Sequence, residues 1–258
     1  MNNFIFLLVL STASFLGMMV SFEIGRRLGL ARIKKDPSGL ASGVSASEGA
    51  IFALLGLLIA FTFTGAASRF EERRHLLVEE ANNIGTAYLR IDLLAPEDQP
   101  AMRELFKRYT DQRLKIYREF RDPAANKLNA DTINSLQLEI WRKAVVAGRN
   151  SSAHVDATKL LLPALNAMID ITTTRTVATR NHPPNMIYFL LFGLSLMAAV
   201  LIGYGTSTNS DRVWLHKIAF ALVITLTSYS IIDLDYPRLG LIRIDSDDQV
   251  LIDVRSSM

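Results

Sequence analysis

The chain alternates between long stretches without charge and stretches dense in charge. Residues 3–22, 49–68 and 183–210 contain no Asp, Glu, Lys or Arg, and residues 218–232 form a fourth, shorter run of the same kind. At about 1.5 Å per helical residue, ~20 such residues span a ~30 Å hydrocarbon core, so the first three runs read as membrane helices. The fourth begins near Val213 and reaches full length when Trp214, His216 and Lys217 sit at the interface. A water-soluble fold would have to bury four helices that are apolar on every side, whereas soluble helices are apolar along one stripe. The first run reads as a retained helix rather than a signal peptide, because Met1-Asn2-Asn3 carries no positive charge and the apolar stretch is long enough to span.

After the first helix, Glu23, Arg26 and Arg27 and then Arg32, Lys34, Lys35, Asp36 and Pro37 read as a basic, flexible connector. Ser45-Ala-Ser-Glu48 has the spacing of a capping box and predicts a second helix starting near Ala46. This helix meets no Pro or turn cluster after Ser68, so it continues through Arg69 and His75. From there Phe70, Leu77, Ile84 and Ile91 repeat every seven residues, with Ala81 and Tyr88 between them, which is the seam of a coiled coil or bundle.

Three further polar helices are expected. One runs from Pro100 to Phe120 with Met102, Phe106, Tyr109 and Ile116 on one side, and one from an N-cap at Asp131 to Ala147 with Ile133, Leu136, Ile140 and Ala144 inward. The last starts near Ser152 and ends near Arg180, with Pro163 inside it. Beyond the fourth membrane helix, the apolar stretches at 241–244 and 250–254 flank Asp245-Ser-Asp-Asp248 and suggest a β-hairpin.

The fold class expected is therefore an all-α integral membrane protein with four transmembrane helices in a 2+2 arrangement and an inserted helical extramembrane domain. The domains are 1–68 (helices one and two with the basic connector), 69–182 (extramembrane helices), 183–235 (helices three and four) and 236–258 (tail).

Net charge is only +3 and the basic residues are interspersed with acids, which gives no nucleic-acid footprint. The chain has no cysteine, so disulfide, thiolate and Cys-ligated metal chemistry are excluded. Arg26, Arg27, Arg32, Lys34, Lys35, Arg212 and Lys217 fall in the two short loops, which places those loops in the cytoplasm and the helical domain outside, on the periplasmic side of a bacterial inner membrane. Arg69, Arg73, Arg74, Arg175 and Arg180 flank the membrane on the other side and nearly balance that count.

Three strings carry a family likeness: SEGAIFALLGLLIAFTFTGAASRFEERRHLLVEEANNIGTAYLRIDLL at 47–94, LLPALNAMIDITTTRTVATRNHPP at 161–184 and DLDYPRLGLIRI at 233–244. Together they resemble the bacterial bestrophin-like domain family, membrane proteins of largely unassigned function. The resemblance implies kinship with bestrophins, which are pentameric anion channels with four membrane helices per subunit. Bestrophins keep their soluble helices in the cytosol, whereas the charge count here places them outside.

On helix two, Gly49, Phe52, Gly56, Ile59, Phe63 and Ala67 share one face at spacings of three and four. Small and aromatic residues so arranged suit a hydrophobic pore constriction, and equally a close helix contact. Arg69 and Arg175 are candidates for a pore mouth or for lipid phosphates, with pairing to Glu71, Glu72 or Asp170 as the plainer role. The uncharged runs offer no intramembrane carboxylate for proton coupling. Thr225, Ser228 and Tyr229 form a polar stripe on helix four that suits either water or bonds to its own backbone.

Glu72-x-x-His75 matches half of a di-iron helix motif but has no second copy, and His154, His182 and His216 are isolated. Asp245-Ser-Asp-Asp248 lacks the glycine and glutamate of a calcium loop, and there is no phosphate-binding glycine loop or nucleophile elbow. No cofactor, metal or catalytic residue is expected. The expected function is a homo-oligomeric membrane ion channel, anion-permeable or weakly selective, with helix two lining the pore. The alternative is a non-conducting membrane signalling or assembly protein whose helical domain binds a partner. The partners expected are the lipid bilayer, further copies of the chain and ions, with no nucleic acid.

Overall fold

The uncharged runs and the charged stretches alike fold as helices. The computed structural model describes residues 2–35, 44–118, 123–207, 214–237, 240–242 and 249–258, and all elements among them are helical. They are α1 (Asn2–Lys35), α2 (Val44–Leu89), α3 (Gln99–Arg118), α4 (Pro123–Ala147), α5 (Ala157–Arg180), α6 (Asn185–Gly205), α7 (Trp214–Asp235) and α8 (Gln249–Ser256), with a short 3-10 turn at Arg90–Leu93. The side chains of the capping box at Ser45, the connector at Asp36 and Pro37, Phe120, Arg212, Val213 and the turn at Asp245 lie outside the described residues.

Contact density divides the chain into two compact units, residues 1–70 with 182–243 and residues 71–181 with 244–258. In the first, α1 packs along α6 and α7. Met18 and Phe22 of α1, Leu55 and Ala66 of α2, Leu191, Ala198 and Ala199 of α6, and Ala221, Ile224 and Ile231 of α7 form its core. Four helices are long and apolar enough to cross a membrane, and the chain itself covers little of them: 11% of the most apolar stretch of α2 is buried, and 39% of that of α7. Phe61 on α2 and Phe189 on α6 are 68% and 72% exposed. Apolar surface left uncovered on this scale identifies hydrocarbon as its solvent.

The α1–α6 crossing depends on glycine. A Cβ on Gly25 would stand 1.9 Å from the Val200 carbonyl oxygen, and one on Gly203 would stand 2.1 Å from that of Phe22. Ser21, Gly25 and Gly29 thus form a small-residue ridge at intervals of four, the spacing that lets membrane helices approach backbone to backbone. This ridge corrects the sequence expectation of a flexible connector after Phe22, because α1 is helical through Lys35. Glu23 pairs with Arg26 and Arg27 at 2.7 and 2.8 Å, one turn on, and the ridge continues across that stretch.

The second unit is a polar-surfaced bundle. Ala81, Ile84, Tyr88 and Ile91 of α2 are buried with Met102, Phe106 and Tyr109 of α3, with Ile133, Leu136, Ile140 and Ala144 of α4, and with Leu161, Leu165 and Met168 of α5. The sevenfold seam is therefore filled from within the same chain and does not by itself provide a surface for self-association.

Three boundaries differ from the sequence expectation. α4 starts at Pro123, a residue suited to a first helical turn, so Asp131 is interior and not a cap. α5 starts at Ala157 rather than Ser152, after turns in which the His154 amide donates to the Leu93 carbonyl. α2 starts at Val44, two residues before the expected Ala46.

The tail also differs. Residues 249–256 are helical and not the second strand of a hairpin, because Leu251, Val254 and Met258 pack on the second unit's core at helical spacing. Arg255 fixes α8 further by pairing with Asp111 at 2.7 Å.

Candidate functional site

α7 ends in Asp233-Leu-Asp235-Tyr-Pro, and both carboxylates are fully buried within the first unit. Asp235 collects three side chains. The Arg69 Nε donates to Oδ1 at 2.6 Å, the Tyr188 hydroxyl donates to Oδ2 at 2.8 Å, and His182 Nδ1 lies 3.1 Å from Oδ2. The His182 ring stacks on Tyr236 at 4.3 Å between centroids. A buried carboxylate is tolerated only when paired and hydrogen-bonded, and here α2, α6 and the segment before α6 all contribute to that requirement.

Asp233 serves a different purpose. Its Oδ2 accepts the backbone amides of Leu241 and Ile242 at 2.9 and 3.0 Å, folding the chain back after α7. A Cβ on Gly240 would fall 1.9 Å from its Oδ1, so only glycine allows this approach. Asp233, Asp235 and Gly240, which belong to one of the three strings that carried the resemblance, thus form a polar knot at the end of α7.

Arg69 also borders a cleft of about 150 Å³, enough for a few water molecules or part of an acyl chain. The cleft is lined by Leu58, Phe61, Thr62 and Gly65 of α2, by Pro183, and by Ile187, Tyr188 and Ile231 of α6 and α7. A guanidinium beside an apolar cleft suits an anion or a lipid headgroup. Asp235→Asn keeps the shape of the knot and removes its charge; a loss of about 2 kcal/mol is expected, read as a lower melting temperature in detergent. An unchanged melting temperature would show that the knot does not hold the helices together.

A second polar centre lies inside the second unit. Glu80 of α2 is fully buried and binds both Arg113 of α3 and Arg175 of α5. Burial raises the Glu80 carboxyl, but the two guanidiniums more than offset it and hold the group down at about 2, against an ordinary 4.5. Beside it, burial pushes the Tyr109 hydroxyl up to about 12, so it stays a neutral phenol. Arg73 closes the end of α5, donating to the Ala178 and Asn181 carbonyls at 3.2 and 3.0 Å.

The sequence-derived site residues are thus distributed as follows. Arg69 and Arg175 fall in different units, and their carboxylate partners are Asp235 and Glu80, distant in sequence, rather than Glu71, Glu72 or Asp170. The face of α2 is split. Phe52 meets Phe220 edge-on at 6.4 Å and Ile59 packs on the first unit's core, while Ala67 is half-buried. Gly49 and Gly56 face open space and Phe63 is 44% exposed. Glu72 and His75 are both exposed. Among the described residues no three His, Asp or Glu side chains cluster as metal ligands.

Reading along the sequence missed the Asp235, His182 and Tyr188 knot, Glu80 with Arg113, and the Gly25–Gly203 crossing. Only the last left a local signal, the small residues at 21, 25 and 29.

No curated protein and no solved structure matches the chain. A family model, that of the Bestrophin-like domain, matches residues 12–249, nearly the whole length. The chain, with its four apolar helices, belongs to the Bestrophin-like family.

Proposed function

We propose that this protein assembles as a homo-oligomer in the bacterial inner membrane and conducts ions through a pore lined by α2. In this reading the first unit spans the bilayer as two helix pairs, and the second unit is an inserted helical domain on the periplasmic side. The pore is anion-permeable or weakly selective, and the protein is not an enzyme. The observation that carries the reading is the uncovered face of α2. Gly49, Gly56 and Phe63 are left open by the subunit's own helices, and in a ring of copies this face of α2, unlike the lipid-facing apolar surface elsewhere, would turn to the central axis. Membership of the Bestrophin-like family supports the channel class. Arg69, on the same helix directly after its uncharged run, would offer passing anions a partly exposed positive charge.

Native mass measurement in detergent is expected to give a ring, and reconstituted liposomes are expected to pass ions. A monomer without flux would overturn the proposal. Phe63→Ala should change conductance, whereas Phe52→Ala should chiefly loosen packing against Phe220. Equal, unchanged currents in both variants would remove α2 from the pore. Gln112→Cys should react with an impermeant thiol reagent from outside, and labelling only after cells are opened would reverse the orientation.

A second reading is a non-conducting membrane module that binds a partner through its helical domain. It is favoured by Leu128, Leu138 and Val146 on α4, which are 66%, 49% and 74% exposed.

A further inference from the structure

In α7, the positions Lys217, Ala221, Thr225, Tyr229 and Asp233 follow one another at intervals of four, a single ridge about 24 Å long at 1.5 Å per residue. Ser228 sits beside it. Thr225, Ser228 and Asp233 are 8%, 2% and 0% exposed, and Lys217 is buried at the opposite end of the helix.

Among the described residues, Thr225 Oγ1, Ser228 Oγ, Tyr229 OH and Asp233 Oδ1 are buried atoms without a hydrogen-bond partner. The Tyr229 hydroxyl lies near the Asp233 carboxylate and the Leu241 backbone but closes no bond of normal geometry with either. Other hydroxyls of the same helix behave differently: Thr227 and Ser230 bond the Val223 and Leu226 carbonyls at 2.8 and 2.9 Å. Bonding to the preceding turn is thus available in α7, and Thr225 and Ser228 do not use it. Four such atoms grouped on one side of an apolar bundle would each carry a desolvation penalty if left dry.

We propose that ordered water fills this side of α7, bridging Thr225, Ser228, Tyr229 and Asp233 in a hydrated track inside each subunit's own helix bundle. The occupant is water rather than a bare ion. The middle of the ridge offers neutral hydroxyls, which bind water well but do not compensate a full charge in a low-dielectric interior. The charged groups, Lys217 and Asp233, stand at its two ends. The track is separate from the open face of α2, so water enters the subunit itself.

The absence of native cysteine allows a direct test. Thr225→Cys and Ser228→Cys, each alone in reconstituted liposomes, are treated with 2-aminoethyl methanethiosulfonate. The remaining thiols are counted with a maleimide dye after unfolding. Because the thiolate is the reacting species and forms only in contact with water, both should react at least about tenfold faster than Val223→Cys on the exposed side of α7. Rates equal to or below that control would overturn the proposal.

If a variant fails to insert, hydroxyl-radical footprinting of the unaltered protein decides. Tyr229 should be oxidised at least about fivefold faster than the buried Phe22 after correction for intrinsic reactivity, since bound water generates the radical in place. Equal protection of the two rings would sink the idea. Neither readout depends on conduction or on a ring, so each can fail while the pore reading stands, and the reverse also holds.

Discussion

Glu80→Ala is expected to destabilise the second unit by about 3–5 kcal/mol, the cost of leaving buried guanidiniums without their carboxylate. Arg113 is 6% exposed and the Arg175 side chain 11%, so neither can recover its hydration by a small movement. Thermal unfolding in detergent, followed by circular dichroism, measures the loss. A second variant separates charge from packing. Replacing the trio together, as Glu80→Leu with Arg113→Met and Arg175→Met, is expected to restore most of the stability, because a well-packed apolar set needs no compensation. Should Glu80→Ala melt with the unaltered protein, the trio would not be the buried centre described here.

The same trio sets a pH dependence. The folded carboxyl is held down near 2 and the unfolded one titrates near 4.5, so the folded state binds fewer protons between these values. The stabilisation is fully present above about pH 4.5 and is lost as pH falls through that window towards 2. An acid melting series on the unaltered protein should show this decline, and it should be much flatter in the apolar triple variant.

Gly203→Val is expected to cost at least about 3 kcal/mol, more than ordinary overpacking, because the added carbons meet main chain and not a movable side chain. The Phe22 carbonyl oxygen lies 2.1 Å from where the new Cβ would be placed, so α1 and α6 must separate along their length. Gly25→Val should behave alike, since its Cβ would fall 1.9 Å from the Val200 oxygen. Gly56→Ala is the control. Nothing lies within 4 Å of its Cβ, so within one subunit the change should be neutral or stabilise by up to about 1 kcal/mol through helix propensity. Melting temperatures of the three variants check this, and a Gly203→Val protein as stable as the control would refute the close crossing.

Much of this molecule can be read from local order. Absence of charge over about 20 residues marks the membrane helices, because lipid offers nothing to solvate an ionised group or an open peptide. The unbroken run through Ser68 and Arg69 marks α2 as one helix, and it is one from Val44 to Leu89. The period of Leu77, Ile84 and Ile91 marks a buried seam, and these residues are buried. Local reading failed where a boundary depended on distant packing. Asp131 has the chemistry of a cap, yet it lies inside α4, which begins at Pro123; two residues before it the buried Asn129 accepts from Gln112 of α3 at 2.8 Å. The tail alternates well enough for a strand, yet Leu251 finds a helical site on the second unit's core.

By itself the sequence determined the solvent of each segment, the helical class and the family likeness, because these follow from side-chain chemistry and spacing within a few turns. Only the tertiary structure decided who partners whom. Arg69 reaches Asp235 across 166 positions and Arg175 reaches Glu80 across 95, although nearer acids were available to both. The reason is dielectric: an exposed neighbour contributes little to an arginine already in water, while a buried carboxylate must have a cation, and the fold determines which one arrives.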